Sequence, residues 1–312
     1  MSPARDDLSH IHRPVMVSEV LGHLFEAAPP AERRLVVDGT VGLGGHALAI
    51  LEHRAEAMVL GLDRDAEALA FAGERLAAQG GRVQLVHASY AELASALAAC
   101  EEEAPWGVLL DLGASSLQFD DPARGFSFRA PAPDVDMRFD RGSDASTALE
   151  LVNELPEAEL SRILHEYGEE PRSRAVARAL VEARPIHDGV QLVEIVRRNA
   201  WRTRRHHVAT RTFQALRIAV NEEYTHVEQG LAAALDAVAP GGRVVVLAFH
   251  SGEDRFVKNA FRDAARAGRG TVRTKKPERP SEAEVEENPR ARPAKLRAFE
   301  KAGTRQEEKT RR

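Results

Sequence analysis

Four short β-branched runs alternate with longer amphipathic stretches in the first 112 residues, and no other feature of the chain restricts its fold as much. Leu35 to Val37, Met58 to Leu62, Val83 to His87 and Val108 to Leu110 read as strands. Between them, His46 to Leu51, Ala66 to Leu76 and Ala91 to Ala99 carry Leu or Ala at helical spacing. Regular alternation of the two periods predicts an α/β fold, a parallel sheet joined by crossover helices.

The next strand, Val244 to Phe249, follows the turn Pro240-Gly241-Gly242 about 130 residues after the fourth. One crossover helix needs only about a dozen residues, so the gap holds an insertion. Amphipathic segments at Ser146 to Leu155, Pro156 to Tyr167, Arg172 to Ala183 and Gln191 to Asn199 fill it, and Pro156 is expected as a first helical residue. A longer helix is expected over Ala209 to Tyr224, with Phe213, Leu216 and Val220 as its apolar stripe and Gln214, Arg217 and Asn221 on another face. The expected architecture is a doubly wound, Rossmann-like sheet built from residues 1–140 and 210–312, with residues 141–209 as an inserted helical domain that recognises substrate. Near the end, Ser281-x-x-Glu284 has the spacing of a capping box and Lys295 to Phe299 reads as an edge strand.

With 43% hydrophobic residues in 312, the chain has material for a sizeable core. Its single cysteine, Cys100, excludes an intramolecular disulfide and a Cys-ligated zinc cluster, and the sequence calls for no metal. No apolar run approaches the roughly 18 residues of a membrane span. Met1 to Glu19 mixes Arg, Asp and His where a secretory signal would be apolar, so a cytoplasmic protein without membrane contact is expected. The net charge of −5 argues against a protein that grips nucleic acid over its whole surface. A local basic patch does exist: Arg197, Arg198, Arg202, Arg204, Arg205 and Arg211, with Trp201, His206 and His207 and no acidic residue among them. Taken alone it is equally a solvated helix end.

Directly after the first strand comes Asp38-Gly39-Thr40-Val41-Gly42-Leu43-Gly44-Gly45-His46, leading into a helix. Glycines let a backbone approach a ligand, and a helix N-terminus offers free N–H groups and a positive dipole end. Asp63 closes the second strand, where a carboxylate can take both hydroxyls of a ribose. Strand, glycine turn, helix, strand and acid together indicate a nucleoside-containing cofactor. Gly42-x-Gly44-Gly45 lacks the last glycine of a dinucleotide site, which disfavours a nicotinamide-dependent dehydrogenase. Asp38 would repel a pyrophosphate and suits the ammonium of a methionine moiety, which favours S-adenosylmethionine.

Ligands of open α/β sheets lie outside the carboxyl ends of the strands. Asp111-Leu112-Gly113-Ala114-Ser115-Ser116 occupies that edge after the fourth strand, and Phe249-His250-Ser251-Gly252-Glu253-Asp254-Arg255 after the fifth. Between them, Gln118 to Phe128 and Asp134 to Arg138 supply carboxylates, arginines and the aromatic rings Phe119, Phe126 and Phe128, a composition suited to a flat, polar-edged base. Each phenylalanine by itself is equally a core anchor.

These residues resemble one family almost from end to end, the ribosomal RNA small subunit methyltransferase H family, also called MraW. The resemblance rests on His12-Arg13-Pro14-Val15, the Asp38 to His46 loop, Asp63-Arg64-Asp65, Asp111 to Asp121, Arg124-Gly125-Phe126-Ser127-Phe128 and Asp136-Met137-Arg138. It continues through Tyr167-Gly168-Glu169-Glu170, Ala209 to Ile218 with Asn221, Phe249-His250-Ser251, Asn288-Pro289-Arg290 and Ala294-Lys295-Leu296-Arg297. It implies methylation of the exocyclic N4 of one cytidine in the decoding region of 16S ribosomal RNA, with the small ribosomal subunit as partner. It also implies S-adenosylmethionine contacts at Gly44, Gly45, His46, Asp63, Tyr90, Asp111 and Gln118. Departures from the family pattern are Gly252 for Leu, Val208 for Pro, Phe139 for Met and Pro293 for Ser.

An exocyclic cytosine amine is a poor nucleophile because its lone pair is delocalised, so acceptors must be aimed at its N–H groups. Asp111 is the first candidate and Asp136 the second. The Asp111-Leu112-Gly113-Ala114 segment lacks the prolines and aromatic residue common in amino methyltransferases, so a stacking ring must come from elsewhere, with Phe126 and Phe128 as candidates. The residues alone leave open an RNA-binding assembly factor on a methyltransferase fold, an amino methyltransferase with another acceptor, and a homodimer.

Overall fold

The computed structural model describes residues 13–26, 34–100, 104–129, 131–201 and 207–303. The chain divides into two compact units, residues 1–113 with 224–312, and residues 114–223. Among the described residues the strands are β1 (Leu35–Asp38), β2 (Met58–Asp63), β3 (Val83–His87), β4 (Gly107–Asp111), β5 (Arg243–Ala248), β6 (Gly270–Val272) and β7 (Lys295–Lys301). The α-helices are α1 (Val17–Phe25), α2 (Gly45–His53), α3 (Ala66–Leu76), α4 (Leu93–Ala99), α5 (Ser116–Asp120), α6 (Ala148–Glu154) and α7 (Glu157–Glu166). They continue as α8 (Ser173–Glu182), α9 (Gly189–Asn199), α10 (Thr210–Asn221), α11 (Glu223–Ala237), α12 (Ser251–Arg266) and α13 (Glu282–Glu287).

In the first unit one sheet runs in the order β3-β2-β1-β4-β5-β7-β6. β1 to β5 pair in parallel, and β7 is antiparallel to both β5 and β6. This is the doubly wound, Rossmann-like sheet expected from the sequence. Lys295 to Phe299 proves to be an interior strand, because the three-residue β6 covers its outer side. One face of the sheet packs Val36, Val59, Leu109, Val245 and Leu247 against Val20 and Leu24 of α1, Ile50 and Leu51 of α2 and Leu76 of α3. The other packs Val37, Leu62, Leu110, Val244 and Val246 against Leu97 of α4, Leu231 of α11 and Phe261 of α12. Burial on both faces explains why β1, β2, β4 and β5 read as near-continuous apolar runs.

The second unit has its own core, in which Leu160 and Leu164 of α7, Val176 and Leu180 of α8, Leu192 and Val196 of α9 and Phe213 and Leu216 of α10 meet. Phe126, Val135 and Met137 from the loop before α6 join the same core. The compact unit therefore begins at Ala114 and ends at Glu223, whereas the sequence reading set its limits at 141 and 209. A loop without regular structure gives no periodic signal of the core it enters.

Two local expectations change. Pro156 is the N-cap of α7, with ψ 150, and the first helical residue is Glu157. The helix expected over Ala209 to Tyr224 stops at Asn221, where Glu222 turns left-handed with φ 49, and α11 begins at Glu223.

Candidate cofactor and active site

Strand order reverses between β1 and β4, which are neighbours in the middle of the sheet. In doubly wound sheets the carboxyl ends of the strands at such a reversal are the usual ligand position. Asp38, Asp63 and Asp111 are the last residues of β1, β2 and β4, so the sheet delivers three carboxylates to this one edge.

The glycine loop is built on those acids. Gly42 N donates to Asp63 Oδ2 at 2.8 Å and Asp65 N to Asp63 Oδ1 at 2.9 Å, which fixes the carboxylate between two loops. Asp65 in turn N-caps α3, accepting from Glu67 N at 3.0 Å. Burial raises the Asp63 pKa to about 6 even though these backbone donors pull it down. The backbone donors of Asp65, Gly42 and Arg64 fill only part of the roughly four lone-pair sites of this carboxylate. Gly44 caps α2 with φ 77, a left-handed conformation that costs glycine nothing, and it leads the first N–H groups of α2 out of the loop.

Asp38 is 1% exposed. Its Oδ1 accepts from Thr40 N at 3.2 Å, while Oδ2 is buried without a hydrogen-bond partner. Burial raises its pKa to about 7 against the opposing pull of His46, and Asp111 and Asp63 push it the same way as burial. Asp111 repeats the pattern. Its backbone N donates to Thr40 Oγ1 at 2.6 Å, its Oδ2 lies 3.5 Å from His46 Nδ1, and its Oδ1 is buried without a partner. Burial, and then the Glu253 carboxylate, raises the Asp111 pKa to about 7. A buried acceptor left unpaired costs about 1–3 kcal/mol, and two of them at one strand edge call for an explanation. A cationic ligand that donates hydrogen bonds supplies one.

Two further groups shape this edge: Glu253, which the sequence placed in the polar cluster after the fifth strand, and Gly230, which it did not single out. Glu253, 1% exposed in the first turn of α12, accepts from Phe249 N at 2.7 Å and His250 N at 3.2 Å and so ties down the end of β5. Gly230 of α11 lies against Tyr90, where a Cβ would come within 2.2 Å of the ring, so the absent side chain sets the place of that ring. Ser89, just before Tyr90, lies 2.8 Å from His226 Nδ1 through its hydroxyl and caps the turn Tyr90–Glu92. The Ser281-x-x-Glu284 pattern forms only half a capping box. Ser281 Oγ accepts from Glu284 N at 3.1 Å, but the Glu284 carboxylate accepts from Met16 N at 2.6 Å instead of returning to Ser281.

In the second unit Gln118 is 4% exposed, and its amide oxygen accepts from Ser115 N at 2.9 Å, closing the capping box of α5. Asp136 is fully engaged: Oδ1 accepts from Arg138 N at 3.1 Å and Nε at 2.7 Å, Oδ2 accepts from Arg138 Nη2 at 3.1 Å, and Arg141 is 3.6 Å away. Burial works to raise its pKa, but the Arg138 bonds prevail and hold it below the usual carboxylate range. Phe126 is 3% exposed and stacks on Phe139 with centroids 5.9 Å apart, so it is a core anchor and not a free ring. Phe128 stacks on His207 at 4.7 Å, and Phe119 is exposed. Of the basic patch, Arg197 and Arg198 project from the last turn of α9 with Glu194 beside them, and Trp201 is 52% exposed. Arg202, Arg204, Arg205 and His206 lie outside the described residues, as does His12.

Comparison with known proteins assigns this arrangement to a family. The model of the MraW methylase family matches residues 9–302. The chain belongs to the MraW methylase family. Among its relatives, the protein named ribosomal RNA small subunit methyltransferase H from Citrifermentans bemidjiense is 46% identical over 319 aligned positions, covering 95% of this chain and 99% of that one. The protein of the same name from Thermotoga neapolitana is 45% identical, covering 94% and 96%. MraW membership brings with it the cofactor expected from the sequence, S-adenosylmethionine. The first unit suits that cofactor. The buried, unpartnered oxygen of Asp38 is chemically suited to a cationic group, and the Asp63 carboxylate to hydroxyl donors.

Proposed function

We propose that this methylase transfers a methyl group to the exocyclic N4 of a cytidine in the decoding region of 16S ribosomal RNA. The observation that carries the reaction is the buried, unpartnered Oδ1 of Asp111 at the strand edge where ligands of such sheets bind. The names of the relatives support ribosomal RNA of the small subunit, and the sequence resemblance supports the cytidine and its amine.

Bound S-adenosylmethionine supplies an electrophilic methyl group. Asp63 takes the ribose hydroxyls with its remaining lone pairs, and the Tyr90 ring flanks the base. The first N–H groups of α2, at Gly45 and His46, with Gly44 before them, receive the methionine carboxylate, as a helix N-terminus does for an anion. Asp38 holds the ammonium with Oδ2. For Gln118, whose amide oxygen accepts from Ser115 N, the sequence resemblance supports a cofactor contact. Asp111 accepts a hydrogen bond from N4 and then its proton, which favours attack by an otherwise delocalised amine; such proton transfer contributes about 10²- to 10⁴-fold. Asp136, neutralised by two arginines, is the weaker base and serves to latch its loop.

A cytidine inside an A-form helix hides its amine, so the target base is unpaired or flipped out. Residues 114–223, with Arg197 and Arg198, contact the surrounding strand. The test is transfer of radiolabelled methyl from S-adenosylmethionine to small ribosomal subunits that lack this modification, followed by nucleoside analysis. Label in N4-methylcytidine is the expected result. Cofactor binding without transfer would favour an assembly factor, and label in another nucleoside would move the target.

A further inference from the structure

The His46 imidazole does not face outward to a ligand. Nε2 lies 2.9 Å from the Val15 carbonyl oxygen, a hydrogen bond, and Nδ1 faces Asp111 Oδ2 at 3.5 Å, so each ring nitrogen has a neighbour within the protein. A carbonyl oxygen only accepts, so Nε2 carries a proton, and the neutral ring presents the Nδ1 lone pair to the Asp111 carboxyl. Two lone pairs do not bond; one proton between Oδ2 and Nδ1 joins them.

We infer that His46 is a positioning residue for Asp111: Nδ1 accepts a hydrogen bond from the protonated carboxyl and keeps Oδ1 turned toward the acceptor amine. This rests on the reading of Asp111 as the group that meets that amine. It differs from a cofactor contact made by the His46 side chain, since the imidazole serves the acid and only the His46 backbone is left for the cofactor.

The surroundings decide where the shared proton sits. His46 is 6% exposed, and burial lowers its pKa although Asp38, the Val15 carbonyl and Glu284 pull the other way. Asp111 faces His46 from α2, the Asp38 carboxyl from β1 and Glu253 from α12. Burial, and then the Glu253 carboxylate, raises its pKa to about 7, so in the ligand-free protein below that pH the proton resides on Asp111 as O–H···Nδ1. A bound cation favours the ionised acid, and the proton crosses the same contact to Nδ1, so that Nδ1–H keeps Oδ2 in place and Oδ1 is left to accept. Formation of the bond from N4 to the methyl carbon would send the methyl–sulfur bonding pair to sulfur and the positive charge to N4, and N4 would give one proton to Asp111 Oδ1. With the sulfonium charge gone, the pair retains this proton until the products depart.

The experiment uses the full chain labelled with ¹⁵N-histidine, with H46Q identifying the His46 resonances and D111N removing the acid. The expected spectrum is a neutral Nε2–H tautomer between about pH 6 and 8, whose Nδ1 resonance moves as Asp111 titrates near 7 and ceases to move in D111N. H46Q, which keeps a donor for Val15, is expected to bind S-adenosylmethionine within about threefold of wild type. Its kcat should fall by about tenfold or more, and the acid limb of its pH profile should shift. An Nδ1–H tautomer, or a His46 signal indifferent to D111N, overturns the pair whatever the activity shows. Loss of cofactor affinity in H46Q with an unmoved pH limb overturns it too, by returning the imidazole to the cofactor. Full activity of D111N with the tautomer intact would instead refute the role of Asp111 in the reaction.

Discussion

Asp111 and Asp136 are the same residue type in two differently built units, and their environments drive them in opposite directions. At the end of β4, burial and then the Glu253 carboxylate raise the Asp111 pKa to about 7, and one of its oxygens has no partner. In the loop before α6, Arg138 and Arg141 neutralise Asp136, engage both oxygens and lower its pKa. The helical unit uses this carboxylate to fix a loop. The sheet unit leaves its carboxylates incomplete at a ligand-binding edge, a stability cost that only a ligand offsets. The arginines two and five residues after Asp136 complete its hydrogen bonds, and Asp111 has no such neighbours.

The sharpest way to break this comparison is to remove each carboxylate in turn. D111N is expected to lower the single-turnover methyl-transfer rate by about 10²- to 10⁴-fold with the cofactor still bound. D136N should leave the rate of the folded protein within about tenfold, while denaturant unfolding shows a loss of roughly 2 kcal/mol from the missing charged hydrogen bonds. A slower reaction in D136N than in D111N would reverse the two roles. D38N comes next. Loss of one charge-assisted bond to an ammonium should weaken S-adenosylmethionine about 10- to 100-fold by equilibrium dialysis, without destabilising the ligand-free protein. A Kd unchanged in D38N would remove Asp38 from the cofactor site. The smallest effect belongs to the exposed arginines. R197A/R198A should flatten the salt dependence of RNA binding by about one unit of log–log slope and leave cofactor affinity alone. An unchanged slope would make those arginines solvated surface.

Much of this was legible in the chain. β1, β2, β4 and β5 were readable because strands buried on both faces become apolar runs, and Asp38, Asp63 and Asp111 because an acid ending such a run has its place fixed by the strand. What escaped acts across long sequence separations. Thr40 Oγ1 meets Asp111 N from 71 positions away, and the Val15 carbonyl meets His46 from 31, contacts for which no local pattern exists. The 16-residue helix α12 was hidden because its first turn read as a polar site cluster, and β6 is too short to carry a period. The break at Glu222 is marked by neither Gly nor Pro, so one helix was expected where two exist. Phe126 was ambiguous for a physical reason, since a core ring and a base-stacking ring have the same composition and only burial distinguishes them.

The central claim is that the acids at the sheet edge hold protons the cofactor must displace. Burial lifts Asp38 and Asp111 from 3.8 to about 7, so the ligand-free fold binds more protons than the unfolded chain between those values. Its stability therefore falls as pH rises through that window, and a bound cation, which favours the ionised acids, reverses the trend. The most direct measurement is calorimetric titration of S-adenosylmethionine at about pH 6.5 in two buffers of different ionisation enthalpy, which counts the protons exchanged. The account predicts release of up to about one proton, reduced in D38N and unchanged in D136N. No release, or uptake, would contradict it.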